Sequence, residues 1–309
     1  MILNNLIRFI LSFLSVVYVN KKISEKKDYL IRLNLRNKLS QLKINSKNLK
    51  ETHKKFNKQL HQLLKKNNIR NFLRESFIQK MFFLHNRIFV FRELLELKRD
   101  KRWNFYKKLI KEDHVGNPIR YFLYPESSGN KINHVFHLKV LIDTFNLNLK
   151  TEVKNLFEFG SGYGCMAKIF FKMNRNCKIT CFDTNLVNLL QYYYLKHSNL
   201  DVGFSIKNKI FLTSNIKMIK KQNDLLIANW SLSETPLNFR KKFISYLHDS
   251  RYILISFQEN FEDINNLKYF KRLKIKLSKK FEIKILKNRF YKGNMFHPQN
   301  HYYFLGKKL

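Results

Sequence analysis

"NLFEFGSGYGCMAKIFF", residues 155–171, is apolar on both flanks and carries Gly160, Gly162 and Gly164 two positions apart, directly after Glu158. The whole chain of 309 residues has only 8 glycines, so three in one short turn answer a local demand. The apolar run 153–159 predicts a buried strand, Gly160 to Gly164 a tight turn, and Cys165 to Lys172 the start of a helix. A second apolar run, "CKITCF" (177–182), predicts the next strand, and Asp183 follows it 23 positions after Gly160. Strand, glycine turn, helix, strand and acid in that order outline a nucleotide-type site. The glycines let backbone approach the ligand, the helix N-terminus offers N–H donors, and the acid takes ribose hydroxyls.

The spacing is Glu-x-Gly-x-Gly-x-Gly, not the Gly-x-Gly-x-x-Gly of dinucleotide sites. A ligand without a pyrophosphate has less need of the helix dipole, and Glu158 stands where a cationic amino-acid end can be held. The pattern therefore favours S-adenosylmethionine over a nicotinamide dinucleotide, with Glu158, Gly160, Gly162, Gly164 and Asp183 as the cofactor-binding residues.

The later sequence alternates as a doubly wound sheet does. "NDLLIAN" (223–229) and "RYILISF" (251–257) read as strands, separated by a helix with Thr235 as N-cap and Pro236 as its first residue. "FEIKILK" (281–287) and "HYYFLG" (301–306) read as two closing strands joined by a long connection, 288–300. The fold class expected is α/β: a Rossmann-like, mostly parallel sheet with a terminal antiparallel strand, preceded by a helical N-terminal region.

That region lacks proline and glycine from Lys21 to Ile110 and shows helical spacing, as in Leu60, Leu63, Leu64 and Phe72, Leu73, Phe77, Ile78. Residues 1–110 hold 27 Lys and Arg against 7 Asp and Glu, within a chain of formal net charge +38. Such charge suits an anionic partner, although a solvated helix face in a lysine-rich chain accounts for it equally well. Residues 1–22 form an apolar stretch in which Asn4, Asn5, Arg8, Ser12 and Ser15 fall on one arc of a helix, the mark of an amphipathic membrane-surface or core-packed segment. Turn formers in 112–130 mark a boundary or long loop. The division expected is 1–22 amphipathic helix, 23–110 basic helical region, 111–150 loop and helix, and 151–309 cofactor-binding domain. Three cysteines without metal-ligand spacing argue for a reducing compartment and against a disulfide framework.

Together with the glycine turn, "FDTNLVNLLQYYYL" (182–195), "DLLIANWSLSETP" (224–236) and "FQENF" (257–261) resemble a family of sugar O-methyltransferases among the class I S-adenosylmethionine-dependent enzymes. "VGNP" (115–118) and "INHVFHL" (132–138) are similar to that family's loop and helix before the core. The resemblance covers residues 110–309. It departs where the family often has a proline soon after the second-strand acid, since here Thr184 and Asn185 follow. It implies methyl transfer to a sugar hydroxyl in glycan biosynthesis, on a small-molecule or lipid-linked sugar.

Methyl transfer from a sulfonium demands alignment and exclusion of water, with no obligatory metal. A base near the hydroxyl assists. Ligands of open α/β sheets lie beyond the carboxyl ends of the strands, which directs attention to Asn229, Ser231, Ser233, Gln258 and Asn260 as substrate-binding residues. Glu234 is the first candidate base, with His297 as alternative and His301, His134 and His137 behind it. Ser231-x-x-Glu234 also has capping-box spacing, a purely structural role. Two other functions compete: an RNA or other nucleic-acid methyltransferase, which would use the charge on phosphates, and a catalytically inactive cofactor-binding module on a membrane surface. The cofactor is a cytosolic metabolite, so the expected location is cytoplasmic, with peripheral attachment to the inner face of an anionic membrane through residues 1–22.

Overall fold

The computed structural model describes residues 24–42, 51–66, 69–82, 88–219, 222–290 and 299–309. The expectation for residues 1–22 and for His297 therefore falls outside the described residues.

Strand β1 (Asn155–Phe159) sits at the centre of an eight-stranded sheet. To one side lie β2 (Lys178–Phe182), β4 (Ile210–Thr213) and β3 (Val202–Gly203). To the other lie β5 (Asn223–Asn229), β6 (Ser250–Gln258), β10 (His301–Lys308) and finally β9 (Phe281–Lys287). All neighbours run parallel except β10, which is antiparallel to both β6 and β9. A short hairpin, β7 (Asn260–Phe261) and β8 (Ile264–Asn265), follows β6. Leu225, Leu226, Ile227 and Ala228 of β5 are all fully buried, as expected of a strand covered on both faces. The expected α/β sheet with one reversed terminal strand is thus the observed one.

The helices among the described residues are α1 (Glu25–Ser40), α2 (Glu51–Lys65), α3 (Ser76–Phe82), α4 (Ile88–Arg99), α5 (Trp103–Ile110), α6 (Gly129–Phe145), α7 (Leu149–Glu152), α8 (Cys165–Met173), α9 (Asn185–His197), α10 (Leu237–His248) and α11 (Asn266–Leu277). On one sheet face α10 and α11 bury Phe243, Leu247, Phe270 and Leu273 against β1, β5 and β6. On the other, one apolar cluster runs from Ile31 of α1 through α6, α8 and α9 to Leu305 of β10. The N-terminal helices thus share the core of the sheet. None of the described helices is long and apolar enough to cross a membrane.

A buried acid fastens α1. Asp28 is fully buried and accepts hydrogen bonds from Arg32 Nε (2.8 Å), Arg70 Nε (2.8 Å) and Tyr193 Oη (2.7 Å), with His197 Nε2 at 3.1 Å. The loop before α6 is held as firmly: Lys131 Nζ meets Glu112 Oε1 at 2.7 Å, Lys168 pairs with Asp113, and Ser127 Oγ donates to the Ile110 carbonyl at 2.6 Å. The turn-rich stretch 112–130 is therefore a packed connection. All three cysteines are free and buried.

Four local readings change. The short β4 follows a stretch rich in polar residues, which hides it. Helix α11 goes unread because it carries five Lys and Arg, yet Asn265 caps it by accepting from the Lys268 N–H at 2.7 Å. Helix α10 begins at Leu237, with Pro236 as its N-cap, because Thr235 Oγ1 donates to the Leu232 carbonyl (2.8 Å) instead of capping. The capping box of Ser231 and Glu234 does not form: Ser231 Oγ donates across to the Phe159 carbonyl at 2.5 Å.

Candidate active site

The glycine turn leaves the carboxyl end of β1 with Gly160, Gly162 and Gly164 all at positive φ, +66°, +54° and +92°. These are backbone conformations that side chains disfavour. At Gly160 space is decisive as well, since a Cβ there would lie 2.2 Å from Ser231 Cβ. The turn is knitted to its surroundings. Gly160 N–H donates to the Phe182 carbonyl (2.8 Å), and Gln191 Nε2 donates to Ser161 Oγ (2.9 Å) and the Gly162 carbonyl (2.7 Å).

Two carboxylates face each other across this turn. Asp183 accepts from the Gly162 N–H at 3.0 Å and the Thr184 N–H at 2.8 Å, but burial outweighs them and pushes its pKa up to about 7. Glu158 is buried, its Oε2 has no hydrogen-bond partner, and its pKa is raised well above the ordinary range by burial first and by Asp183 second. The Ala167 N–H, at the start of α8, is the contact that favours its charge. A buried carboxylate oxygen without a donor costs free energy that a bound cation would recover.

Beyond β5 the chain turns sharply, with Trp230 at φ +54°. The turn brings several of the expected substrate residues together. Ser233 Oγ donates to Gln258 Oε1 (3.0 Å), and Gln258 Nε2 donates to Glu234 Oε1 (3.2 Å). Glu234 reaches solvent on one side, while protein crowded on the other raises its pKa to about 7 by desolvation. Asn229 Oδ1 accepts from Ser256 Oγ at 3.0 Å. Ser231 is turned towards the glycine turn by its bond to the Phe159 carbonyl, and Asn260 stands apart on the hairpin, its N–H donating to Gln299 Oε1 at 3.1 Å.

Sequence reasoning did not single out Arg240. This fully buried guanidinium donates to the carbonyls of Thr235 (2.8 Å) and Ser233 (2.6 Å) and to Asn266 Oδ1 (2.7 Å), which fixes the Glu234 turn from below. An arginine in an amphipathic helix gives no sign that it points inward. Beneath Trp230, α6 buries His137 completely, its ring lying 5.3 Å from those of Trp230 and Tyr303. Neither nitrogen of His137 has a hydrogen-bond partner, and Asn229 Nδ2, also unpartnered, faces it without reaching bonding geometry. Burial, then the neighbouring His134, drives the His137 pKa down to about 3. Trp230 Nε1 donates to His301 Nδ1 at 3.0 Å. Among the described residues no group of three or more His, Cys, Asp or Glu is arranged to hold a metal.

No protein-family model matches the chain, and no curated protein is similar to it in sequence. Solved structures are similar in part. The methyltransferase domain of a bacterial Hen1 protein shares 14% identity at a TM-score of 0.41, covering 56% of this chain and 97% of its own. Residues 942–1257 of StiE, an O-methyltransferase segment, share 11% at 0.41, covering 55% and 72%. The METTL16 methyltransferase domain shares 12% at 0.38, covering 56% and 66%. On its own strand order, the chain is a Rossmann-like α/β protein with its glycine turn at the carboxyl end of the central strand.

Proposed function

We propose that the protein is an S-adenosylmethionine-dependent O-methyltransferase acting on a sugar hydroxyl. The observation that carries this reading is the orphaned, buried Oε2 of Glu158 beside a glycine turn held open at positive φ. The residues fit the cofactor. Glu158 would receive the cationic amino group, Gly160 and Gly162 would let the chain approach, and the lone pairs of Asp183 not used by Gly162 and Thr184 would accept ribose hydroxyls. When bound, the cofactor supplies an electrophilic methyl group on a sulfonium.

The chain's own residues supply alignment and a proton acceptor. Glu234, with a pKa raised to about 7, suits a general base at neutral pH, and Gln258 and Ser233 orient it. The partly exposed Asn229 and Gln258 are uncharged hydrogen-bonding side chains, and the partly exposed Trp230 ring is at hand to pack on a sugar face. This uncharged lining suits a polyhydroxylated acceptor better than a phosphodiester, which would call for clustered Arg and Lys. Residues 1–22 and the basic helices would hold the enzyme at an anionic surface on the cytoplasmic side.

Calorimetry with S-adenosylhomocysteine tests the cofactor assignment: the wild type binds and Gly162→Arg does not. Incubation with labelled S-adenosylmethionine and a panel of nucleotide-sugars, lipid-linked glycans and RNA tests the acceptor. Label in carbohydrate supports the reading, and label in RNA rejects it. On a carbohydrate acceptor Glu234→Gln lowers turnover about 10²-fold with cofactor affinity unchanged.

A further inference from the structure

The face of Gly162 that a side chain would cover is taken up by a residue from far upstream. A Cβ built on Gly162 would meet Cδ1, Cγ and Cε1 of Phe82 at 3.2, 3.6 and 3.7 Å. Phe82 is the last residue of α3, and its ring is only partly buried. It is braced from behind by Phe56 of α2, edge to face at 5.5 Å and 87°. The same helical layer touches the turn again through Phe72, whose ring lies 6.0 Å from that of Tyr163 and 6.0 Å from that of Tyr194. Asp28 locks α1 to α9, so the ring is held by a layer that is itself fastened.

We propose that Phe82 is a cofactor-binding residue: its exposed ring face forms the outer wall of the cleft, against which the apolar part of a nucleoside-type ligand packs. This rests on the S-adenosylmethionine reading above. The Gly162 N–H is directed at Asp183 Oδ2 (3.0 Å), whereas Phe82 covers the Cα of the same residue. Ring and carboxylate therefore flank the turn and do not compete for one position. The helical N-terminal region then completes the site, and the minimal binding unit begins well before the sheet.

The test is calorimetry with S-adenosylhomocysteine on the whole chain, comparing wild type, Phe82→Ala and Phe82→Tyr, with unliganded melting curves alongside. Phe82→Ala weakens binding about tenfold while Phe82→Tyr keeps it, because ligand packing on an aromatic face is lost in the first alone. Where Phe82→Ala does not fold, Phe82→Leu keeps the apolar contact with Phe56 and shows a loss in the same direction. Wild-type affinity in the folded variant overturns the proposal, and tighter binding overturns it too by making the ring a plug. Failure of the wild type itself to bind is a different result, which removes the cofactor reading and this inference with it.

Discussion

Asp28 and Glu158 are both buried carboxylates beneath the same helical layer, and they are provisioned in opposite ways. Asp28 gathers two guanidinium donors, a tyrosine hydroxyl and a histidine, and these lower its pKa although burial alone would raise it. Glu158 has an oxygen with no donor and a pKa raised well above the ordinary range. The first acid is complete within the fold and serves to hold it. The second is left unfinished within the fold, and the proposed function has the ligand's cation finish it.

The largest effect that sharpens this contrast is expected at Asp28. Asp28→Ala leaves Tyr193 and His197 without their acceptor in the interior and removes the partner of Arg32 and Arg70. Unfolding in urea should show a loss of about 3 kcal/mol or more. A loss under about 1 kcal/mol would mean that the helical layer is held by its apolar contacts alone. Next comes Gly160→Ala, which forces a Cβ to within 2.2 Å of Ser231 Cβ at φ +66°. Strain and the displaced Ser231 should cost about 2 kcal/mol and remove cofactor binding in calorimetry. Gly160→Ala combined with Ser231→Gly relieves the clash but not the backbone conformation, so it should recover part of the stability.

A third buried acid provides a pH-dependent test of the same contrast. Glu93 accepts from Asn133 Nδ2 at 2.9 and 3.0 Å, yet burial raises its pKa to about 8. A folded pKa above the unfolded value of about 4.3 means that the folded state holds the extra proton, so the contribution to stability is full below that value and declines as pH rises towards 8. Glu93→Gln removes the titration. Its stability relative to wild type should therefore rise steadily between pH 5 and pH 8, by on the order of 1 kcal/mol per pH unit, in paired denaturation curves. A flat difference would show that Glu93 is charged throughout and supplied as Asp28 is.

The sheet was legible in the sequence because its central strands are apolar runs of strand length bounded by glycine, proline and asparagine. β5 and β9 occupy the stretches expected from those signals. β4 and α11 were not, since a four-residue strand and a lysine-rich helix carry little periodic signal. The glycine turn of the proposed cofactor site was visible as a motif, because Glu158, the three glycines and Asp183 are close in sequence. The acceptor end could be read only in outline. The burial of His137 beside Trp230, and the support of the Glu234 turn by Arg240, depend on the packing of α6 and α10, which no local spacing encodes. Phe82 and Asp28 were silent for the same reason, each acting on a residue many positions away.

The three buried thiols give the molecule a chemical clock. A cysteine at a helix N-terminus ordinarily has a lowered pKa, yet burial pushes Cys165, the first residue of α8, up to about 12, and Cys177 likewise. Burial raises Cys181, inside β2, well above the ordinary thiol range as well. In the closed fold none offers a thiolate to a modifying reagent. Alkylation at Cys165 therefore counts openings of the glycine turn, while alkylation at Cys181 counts disruptions of the sheet itself. A ligand seated on the turn should slow the first clock by more than the second, which makes Cys165 and Cys181 separate gauges of local and global opening.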